Sequence, residues 1–318
     1  MARNKDNGST GRGDETLDPA TTRSVGDRVG VRKAYKMYVG GAFVRSESGR
    51  YIQVPEDAAA GEGSPRENIP RASRKDGRDA VVFAKNALAG WSGRTAFNRG
   101  QVLYRLAEML EARSAELSRV LERGGLGGKD AAREVAATID RALAFAGWTD
   151  KDQSLFSSLN PVGGPHFNFT VPEPMGVVAI VAPPRPALLG LVGAILPVIA
   201  SGNTCVVLAS EADPRTAIVF GEALATSDLP GGVVNLLTGQ LAEVLPHLAK
   251  HMEVAALDLH GVDAKLAAQV EQAAIVNVKR VRIRALPEAS WFDASASESP
   301  RWIERFVEMK TVWHPAGP

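Results

Sequence analysis

The feature that most constrains the fold is a regular alternation of short apolar strands and helices through the second half of the chain. Its first strand, 176–182, is a continuous apolar run of the kind that parallel strands show when helices cover both faces. The pattern then predicts helices over 187–200, 214–226, 240–250 and 262–274, and strands over 204–208, 233–237, 254–259 and 278–284. This succession predicts an α/β fold with a doubly wound, mostly parallel, Rossmann-like sheet.

A helical region precedes this alternating part. Between 73 and 148 apolar residues recur at helical spacing, and Thr95 is predicted to cap the second helix. The glycine-rich stretch 124–129 is flanked by helical sequence, so it predicts a helix end and not a phosphate-binding loop. Further upstream, 36–54 predicts a short hairpin and 57–72 a loop.

The composition argues against several classes of function. The sequence has 37 Lys and Arg residues and 36 Asp and Glu residues, which gives a formal net charge of +1. This balance disfavours a nucleic-acid binder that relies on bulk positive charge. One cysteine excludes an intramolecular disulfide, and the five histidines show no metal-ligand spacing. We therefore expect neither nucleic acid nor a metal ion as a ligand.

No targeting or membrane-spanning segment is predicted. Residues 1–34 are polar with charges of both signs, which predicts a disordered arm and not a secretory signal. The uncharged stretch 187–210 has the length of a membrane span, but Pro197 and the polar residues 201–204 divide it into a helix and a strand. With its single thiol, the chain is expected to be cytoplasmic and to bind no membrane.

Six motifs stand in a fixed order along the chain. They are Met-Tyr-Val-Gly-Gly at 37–41, the helix 99–107, Glu-Pro-Met-Gly-Val-Val at 173–178, Gly-Asn-Thr-Cys-Val-Val at 202–207, Leu-Pro-Gly-Gly-Val-Val-Asn at 229–235 and Lys-Thr-Val-Trp at 310–313. The aldehyde dehydrogenase superfamily has these motifs in the same order, so the chain resembles that family from about 36 to 283 and again near its end. The chain resembles a truncated member, similar to the second, cysteine-lacking domain of bipartite aldehyde dehydrogenases.

The resemblance implies a division of the chain into five parts. They are a disordered arm at 1–34, an N-terminal hairpin and helical part at 35–155, an oligomerisation β arm at 156–172 and 300–318, a Rossmann-like domain at 173–284, and a linker at 285–299 in place of the family's catalytic domain.

The resemblance also implies that the catalytic groups are missing. The family's nucleophilic cysteine belongs to the absent catalytic domain, and the one cysteine here, Cys205, is predicted to be a small buried side chain. Arg185 stands where the family has an asparagine that stabilises an oxyanion, and we expect it to be an exposed loop residue. Arg284 stands at the position of the family's general base, where a guanidinium cannot accept a proton. No catalytic residue is predicted.

A degraded site for NAD is the third implication. The positions that match the family's cofactor motifs are Pro183, Ser210, Glu211, Gly239 and Gly261. Leu208 stands at the position where the family has a lysine that binds the ribose of the cofactor. After Gly261 it has valine in place of the hydroxyl residue, and Asp263 adds negative charge where a pyrophosphate would approach. NAD binding is therefore doubtful. The neighbouring His260 could be a base on a strand end, but with no partner identifiable we interpret it as a lone, satisfied histidine.

The retained arm predicts assembly. The strands 166–171 and 306–314 alternate in polarity and would expose their edges unless another chain pairs with them. The predicted interface residues are Phe167, Phe169, Val171, Val312 and Trp313.

Two main hypotheses about function follow, with a weaker third. The favoured one is a non-catalytic subunit that assembles with a full-length aldehyde dehydrogenase, with itself, or with both. The alternative is an NAD-dependent oxidoreductase that converts an aldehyde to a carboxylic acid, alone or with a partner's residues. A nucleotide-binding sensor that binds without turnover is the third.

Overall fold

The computed structural model describes Met1 and residues 31–316, except for the side chains of 61–63. The described residues form the strands β1 (Met37–Val39), β2 (Ala42–Val44), β3 (Tyr51–Pro55), β4 (Arg66–Pro70), β5 (Ser158–Asn160), β6 (His166–Pro174), β7 (Val177–Val181), β8 (Thr204–Leu208), β9 (Val234–Leu237), β10 (Val254–His260), β11 (Arg280–Arg284) and β12 (Val307–Pro315). The arm predicted to be disordered at 1–34 lies almost wholly outside the described residues and stays a prediction.

Helices connect most of these strands. They are α1 (Arg74–Ser92), α2 (Ala96–Ala112), α3 (Ser114–Arg123), α4 (Gly128–Trp148), α5 (Asp152–Phe156), α6 (Leu189–Ala200), α7 (Pro214–Leu224), α8 (Leu241–Lys250), α9 (Ala264–Ala274), α10 (Glu288–Trp291), α11 (Ala294–Ser297) and α12 (Arg301–Glu304). None of the helices in the described part of the chain is both long and apolar enough to cross a membrane.

A seven-stranded sheet organises the fold, with the order β11-β10-β7-β8-β9-β1-β2. The five strands from β11 to β9 run parallel, while β1 pairs antiparallel with β9 and with β2. The chain builds β7, β8 and β9 in one direction and then returns to place β10 on the other side of β7. The predicted doubly wound, mostly parallel α/β fold is confirmed, and the order reverses between β7 and β10.

Each face of the sheet carries its own apolar cluster. Because side chains alternate along a strand, Val178 and Ile180 of β7 face α2, α4 and α6, whereas Val177 and Ala179 face α1, α8 and α9. The helix α6 is buried along its whole length. At its amino end, the amides of Leu188 and Leu189 donate hydrogen bonds to the buried carboxylate of Glu134 at 2.6 and 3.1 Å. This carboxylate satisfies backbone donors that water cannot reach.

The helical region begins and ends where its capping residues stand. Thr95 accepts a hydrogen bond from the Asn98 amide at 3.2 Å, which confirms the predicted cap of α2. The helix α3 ends at the glycine-rich stretch, where Gly125 has a φ of +93°. That stretch is thus a helix end, as predicted, since only glycine adopts such a φ without strain.

Two connecting segments contain regular structure, and the predicted loop at 57–72 was wrong. Residues 57–72, predicted to be a loop, contain β4, which pairs antiparallel with β3 in a separate two-stranded sheet. The segment 285–299, predicted to be a linker, contains α10 and α11 and packs into the core through Trp291, which is 1 % exposed. Its indole lies against α6, where a Cβ on Gly193 would come within 3.1 Å of the ring. Burial of this side chain holds the segment in place.

A three-stranded antiparallel sheet, β12-β6-β5, stands apart from the main sheet. The pairing of β12 with β6 runs from Val307 opposite Pro174 to Pro315 opposite His166. We call this sheet the β arm. It contains strands from both segments that the resemblance assigns to an arm, and whether it joins subunits stays a prediction.

Candidate functional site

The five predicted cofactor residues lie beyond the carboxyl ends of the parallel strands. Pro183 follows β7, Ser210 and Glu211 follow β8, Gly239 follows β9 and Gly261 follows β10. The loops after β7 and β10 touch, because a Cβ on Gly261 would come within 2.7 Å of Pro184 Cδ. We call this region the crevice. It lies at the reversal in strand order, where sheets of this kind bind their ligands.

The side chains after β8 are already engaged within the protein. The carboxylate of Glu211 accepts a hydrogen bond from the Leu241 amide at 2.6 Å, so it caps α8. Ser210 Oγ accepts from the Ala212 amide at 3.1 Å and donates to the Pro184 carbonyl at 3.4 Å. Leu208 is buried in the core, where it cannot replace a ribose-binding lysine.

Both crevice glycines are required by the packing of the backbone itself. Gly239 has a φ of +145°, and a Cβ there would lie 2.8 Å from the Ala72 nitrogen. Gly261 has a φ of +65° and packs against Pro184. Their presence is therefore explained without a phosphate group.

The amino end of α9 carries its own negative charge. Asp263 is the N-cap residue, and its carboxylate accepts from the Leu266 amide at 2.9 Å. A pyrophosphate at this helix end would meet a carboxylate instead of free amides. Together with Leu208 and the engaged Glu211, this arrangement does not fit a dinucleotide bound as the resemblance would imply.

The only cysteine of the sequence is buried inside the main sheet. Cys205 lies in β8 and has no solvent exposure, and burial raises the pKa of its thiol far above the ordinary value. A thiol becomes a nucleophile as the thiolate, which this environment disfavours. Arg185, at the position that resembles the family's oxyanion residue, is exposed as predicted.

A buried charged cluster lies beyond the crevice, at the β10–β11 edge of the sheet. Asp258 Oδ2 lies 3.0 Å from His260 Nε2, and Asp258 Oδ1 forms an ion pair with Arg284 Nε at 2.9 Å. Burial opposes ionisation of Asp258, but His260, Arg284 and Arg305 more than offset it and lower the pKa of the carboxyl. Asp258 is fully buried, so its charge depends on these partners.

The sequence prediction missed this cluster. His260, interpreted as a histidine without an identifiable partner, pairs with Asp258, and its ring packs on Trp291 with centroids 5.2 Å apart. The spacing of Asp258 and His260 on one face of β10 was a signal that could have found the pair. Arg284 could not be placed there without the register, which sets it opposite His260.

Four of the five predicted interface residues share one face of the β arm, and one does not. Phe167, Phe169 and Val171 alternate along β6, and Val312 stands directly opposite Phe169. Trp313 stands opposite Asn168 and therefore lies on the other face, where its ring contacts His166 at 5.8 Å. The five residues therefore lie on both faces of the β arm, because a one-residue step along a strand changes the face, and their role in an interface stays a prediction.

Comparison with known proteins places these observations in one family. The sequence profile of the aldehyde dehydrogenase family matches residues 43–284. Hydroxyisobutyraldehyde dehydrogenase of Mycolicibacterium austroafricanum is 33 % identical over 227 residues, which cover 71 % of this chain and 44 % of that protein. Human cytosolic 10-formyltetrahydrofolate dehydrogenase is 30 % identical over 259 residues, covering 80 % of this chain and 28 % of that protein.

Solved structures agree with the sequence relatives. PnpE from Pseudomonas sp. WBC-3 superposes with a TM-score of 0.73 at 30 % identity, covering 79 % of this chain and 50 % of that chain. A second PnpE structure, a complex with nicotinamide adenine dinucleotide, matches with the same TM-score at 29 % identity. The chain thus spans half or less of each of these relatives, and the family profile stops at Arg284, which belongs to the charged cluster.

Proposed function

The chain belongs to the aldehyde dehydrogenase family, and we propose that it is a non-catalytic member that assembles through its β arm with a full-length aldehyde dehydrogenase, with itself, or with both. The observation that carries the proposal is that the single thiol is inaccessible to a substrate while the β arm presents apolar side chains to solvent. Cys205 is fully buried in β8, while apolar side chains of the β arm are exposed. One thiol in a buried position fits a reducing compartment, so we place the protein in the cytoplasm.

The lack of a reactive thiol supports the non-catalytic part of the proposal. Cysteine-dependent oxidation of an aldehyde begins with attack of a thiolate on the carbonyl carbon, and this requires a thiol that the substrate reaches. Cys205 is the one cysteine, and the sheet covers it. Arg284 stands at the position that resembles the family's general base, and it forms an ion pair with Asp258. A charged guanidinium cannot accept a proton, so this residue cannot act as the base.

The exposed face of the β arm supports the assembly part. Leu159 of β5 and Phe167 of β6 are 67 % and 50 % exposed, and they share a face with Phe169 and Val312. Beside them β12 is an edge strand of nine residues whose outer backbone groups have no strand partner among the described residues. An exposed apolar face beside an unpaired edge strand is a site for pairing with another chain.

Sedimentation velocity tests the assembly. We expect the wild type, alone or mixed with a full-length aldehyde dehydrogenase, to form a complex, and Phe167→Lys to weaken it because a charge would stand in the apolar face. Tyr104→Lys is the matched control, since Tyr104 is 55 % exposed but lies on α2. A monomer under both conditions, or an equal effect of the two variants, would contradict the proposed role of the β arm.

The alternative is an NAD-dependent aldehyde oxidoreductase, and the likeness to the NAD complex of PnpE is what favours it. Titration calorimetry with NAD separates the two proposals. The engaged Glu211 and the Asp263 cap lead us to expect no measurable heat of binding under conditions in which a full-length aldehyde dehydrogenase binds NAD. Binding without formation of NADH would indicate a nucleotide sensor, and binding with turnover would indicate an enzyme.

A further inference from the structure

A basic cavity lies beside the edge strand β11 and is distinct from the crevice residues. It has a volume of about 610 Å³, within the range of pockets that hold small molecules. Arginine side chains line it together with Trp302 and small residues of the segment that follows β11. The residues that the argument uses are Arg282, Arg284, Trp302 and Arg305.

The sequence of β11 explains why positive charge collects there. It reads Arg-Val-Arg-Ile-Arg, so that alternation places Arg280, Arg282 and Arg284 on one face and the apolar residues on the other. The register sets Arg282 opposite Asp258 and Arg284 opposite His260. Asp258 is paired with Arg284, and neither Arg282 nor Arg305 forms an ion pair within the described part of the chain. Two of the three arginines that line the cavity therefore have no ion-pair partner of their own in the described chain.

Arg284 itself is not fully satisfied. Its side chain is only 10 % exposed, and its two terminal nitrogens have no hydrogen-bond partner among the described residues. Burial lowers the pKa of its guanidinium to about 10; Asp258 opposes this shift, and Arg305 and Arg282 add to it. The group remains charged at neutral pH, so a buried cation lies at the wall of the cavity and adds to its positive potential.

Trp302 fixes two of the arginines in place. The guanidinium carbons of Arg284 and Arg305 lie 4.5 and 4.6 Å from the centroid of its ring. The indole is anchored in turn, because its Nε1 donates to the Ala296 carbonyl at 2.9 Å. Holding the side chains in advance reduces the entropy that a ligand would have to overcome.

We propose that this cavity is a binding site for a small dianion, either a phosphate monoester or a dicarboxylate. A doubly charged oxyanion matches the positive charge of Arg282 and Arg305, neither of which forms an ion pair among the described residues. The guanidinium group that Trp302 holds in place favours a small ligand over an acidic segment of a partner. The site is independent of NAD and of the β arm.

Calorimetry at low ionic strength with the full chain tests the site, using inorganic phosphate and succinate as probes and acetate as the singly charged control. We expect at least one dianion to bind with a Kd below about 1 mM, acetate to bind at least tenfold more weakly, and added KCl to weaken binding. Binding of phosphate alone indicates a phosphate ester, and binding of succinate alone a dicarboxylate. Failure of both dianions to bind at millimolar concentration would overturn the proposal.

Substitutions identify the binding residues. Arg282→Gln and Arg305→Gln should each weaken dianion binding about tenfold or more, because each removes a charge-assisted hydrogen bond. Arg119→Gln removes the same charge from an exposed site on α3 and should leave the affinity unchanged. Both of the first variants keep the Asp258–Arg284 pair, so they should fold. Wild-type affinity in both would overturn the proposal.

Arginine modification with phenylglyoxal distinguishes a partner's acidic segment from a small ligand. If the site holds a small dianion, phosphate or succinate protects Arg282 and Arg305 in the chain alone. Protection only inside an oligomer, with no effect of either anion, would assign these arginines to a subunit interface and overturn the small-ligand site.

Discussion

The centre of the main sheet and its β10–β11 edge are stabilised in opposite ways. At the centre, every residue of β7 and β8 is buried, and all but Thr204 are apolar or the single cysteine. At the edge, Asp258, His260, Lys279 and Arg284 lie buried or nearly buried within or next to two adjacent strands. The centre depends on apolar area, which pH and salt hardly change, whereas the edge depends on charge pairing.

The largest effect should come from breaking the charged cluster. Asp258→Ala leaves Arg284 and His260 buried without their partner, so we expect the free energy of unfolding to fall by about 3–5 kcal/mol. Urea denaturation followed by circular dichroism measures it. Asp263→Ala, which removes only an exposed helix cap, should cost about 1 kcal/mol. Equal losses in the two variants would mean that the cluster does not hold the edge.

A pH titration should separate the edge from the centre. Lys279 donates to the His251 and Val254 carbonyls at 2.7 Å each, and burial lowers the pKa of its amine to about 8. Between about pH 8 and 10.5 the unfolded chain holds this proton more tightly than the folded chain. The free energy of unfolding should therefore rise with pH, by up to about 3 kcal/mol from this group.

Lys279→Met provides the control for that titration, since it lacks the amine. The difference between the wild-type and variant unfolding free energies should change with pH through this window. Parallel curves would show that Lys279 has an ordinary pKa in the folded protein.

The smallest effect is expected at the centre. Cys205→Ala removes one buried sulfur and should cost about 1 kcal/mol of the free energy of unfolding near pH 7, where the thiol is protonated in both the folded and the unfolded chain. In the wild type, the native thiol should resist Ellman's reagent and react once urea unfolds the chain. Rapid reaction of the native protein would show that the sheet does not seal this residue.

The same contrast explains what the sequence could predict. The strand 204–208 was placed to the residue, because a continuous apolar run between turn residues has few other interpretations. β4 was missed because Arg-Glu-Asn-Ile-Pro carries little apolar periodicity. The helices α10 and α11 have four residues each, too few to show a helical period, so the burial of Trp291 was also missed.

The charged cluster was missed for a different reason. Asp258 and Arg284 are far apart in the sequence and meet only through the parallel register of β10 and β11. The apolar pattern fixes which face of a strand is buried, but it carries little information about pairing between charges on separate strands. Similarly, the interface residues of the β arm were chosen by type, and the register then placed Trp313 on the other face.

We propose that this family member does not oxidise aldehydes through a cysteine. The most direct test follows NADH absorbance with the purified full chain, NAD and a series of aldehydes, beside a full-length aldehyde dehydrogenase as the positive control. We predict no NADH above the rate without protein, and no difference between the wild type and Cys205→Ala. Sustained NADH formation would contradict the account, and its loss in Cys205→Ala would show that the buried thiol is the nucleophile.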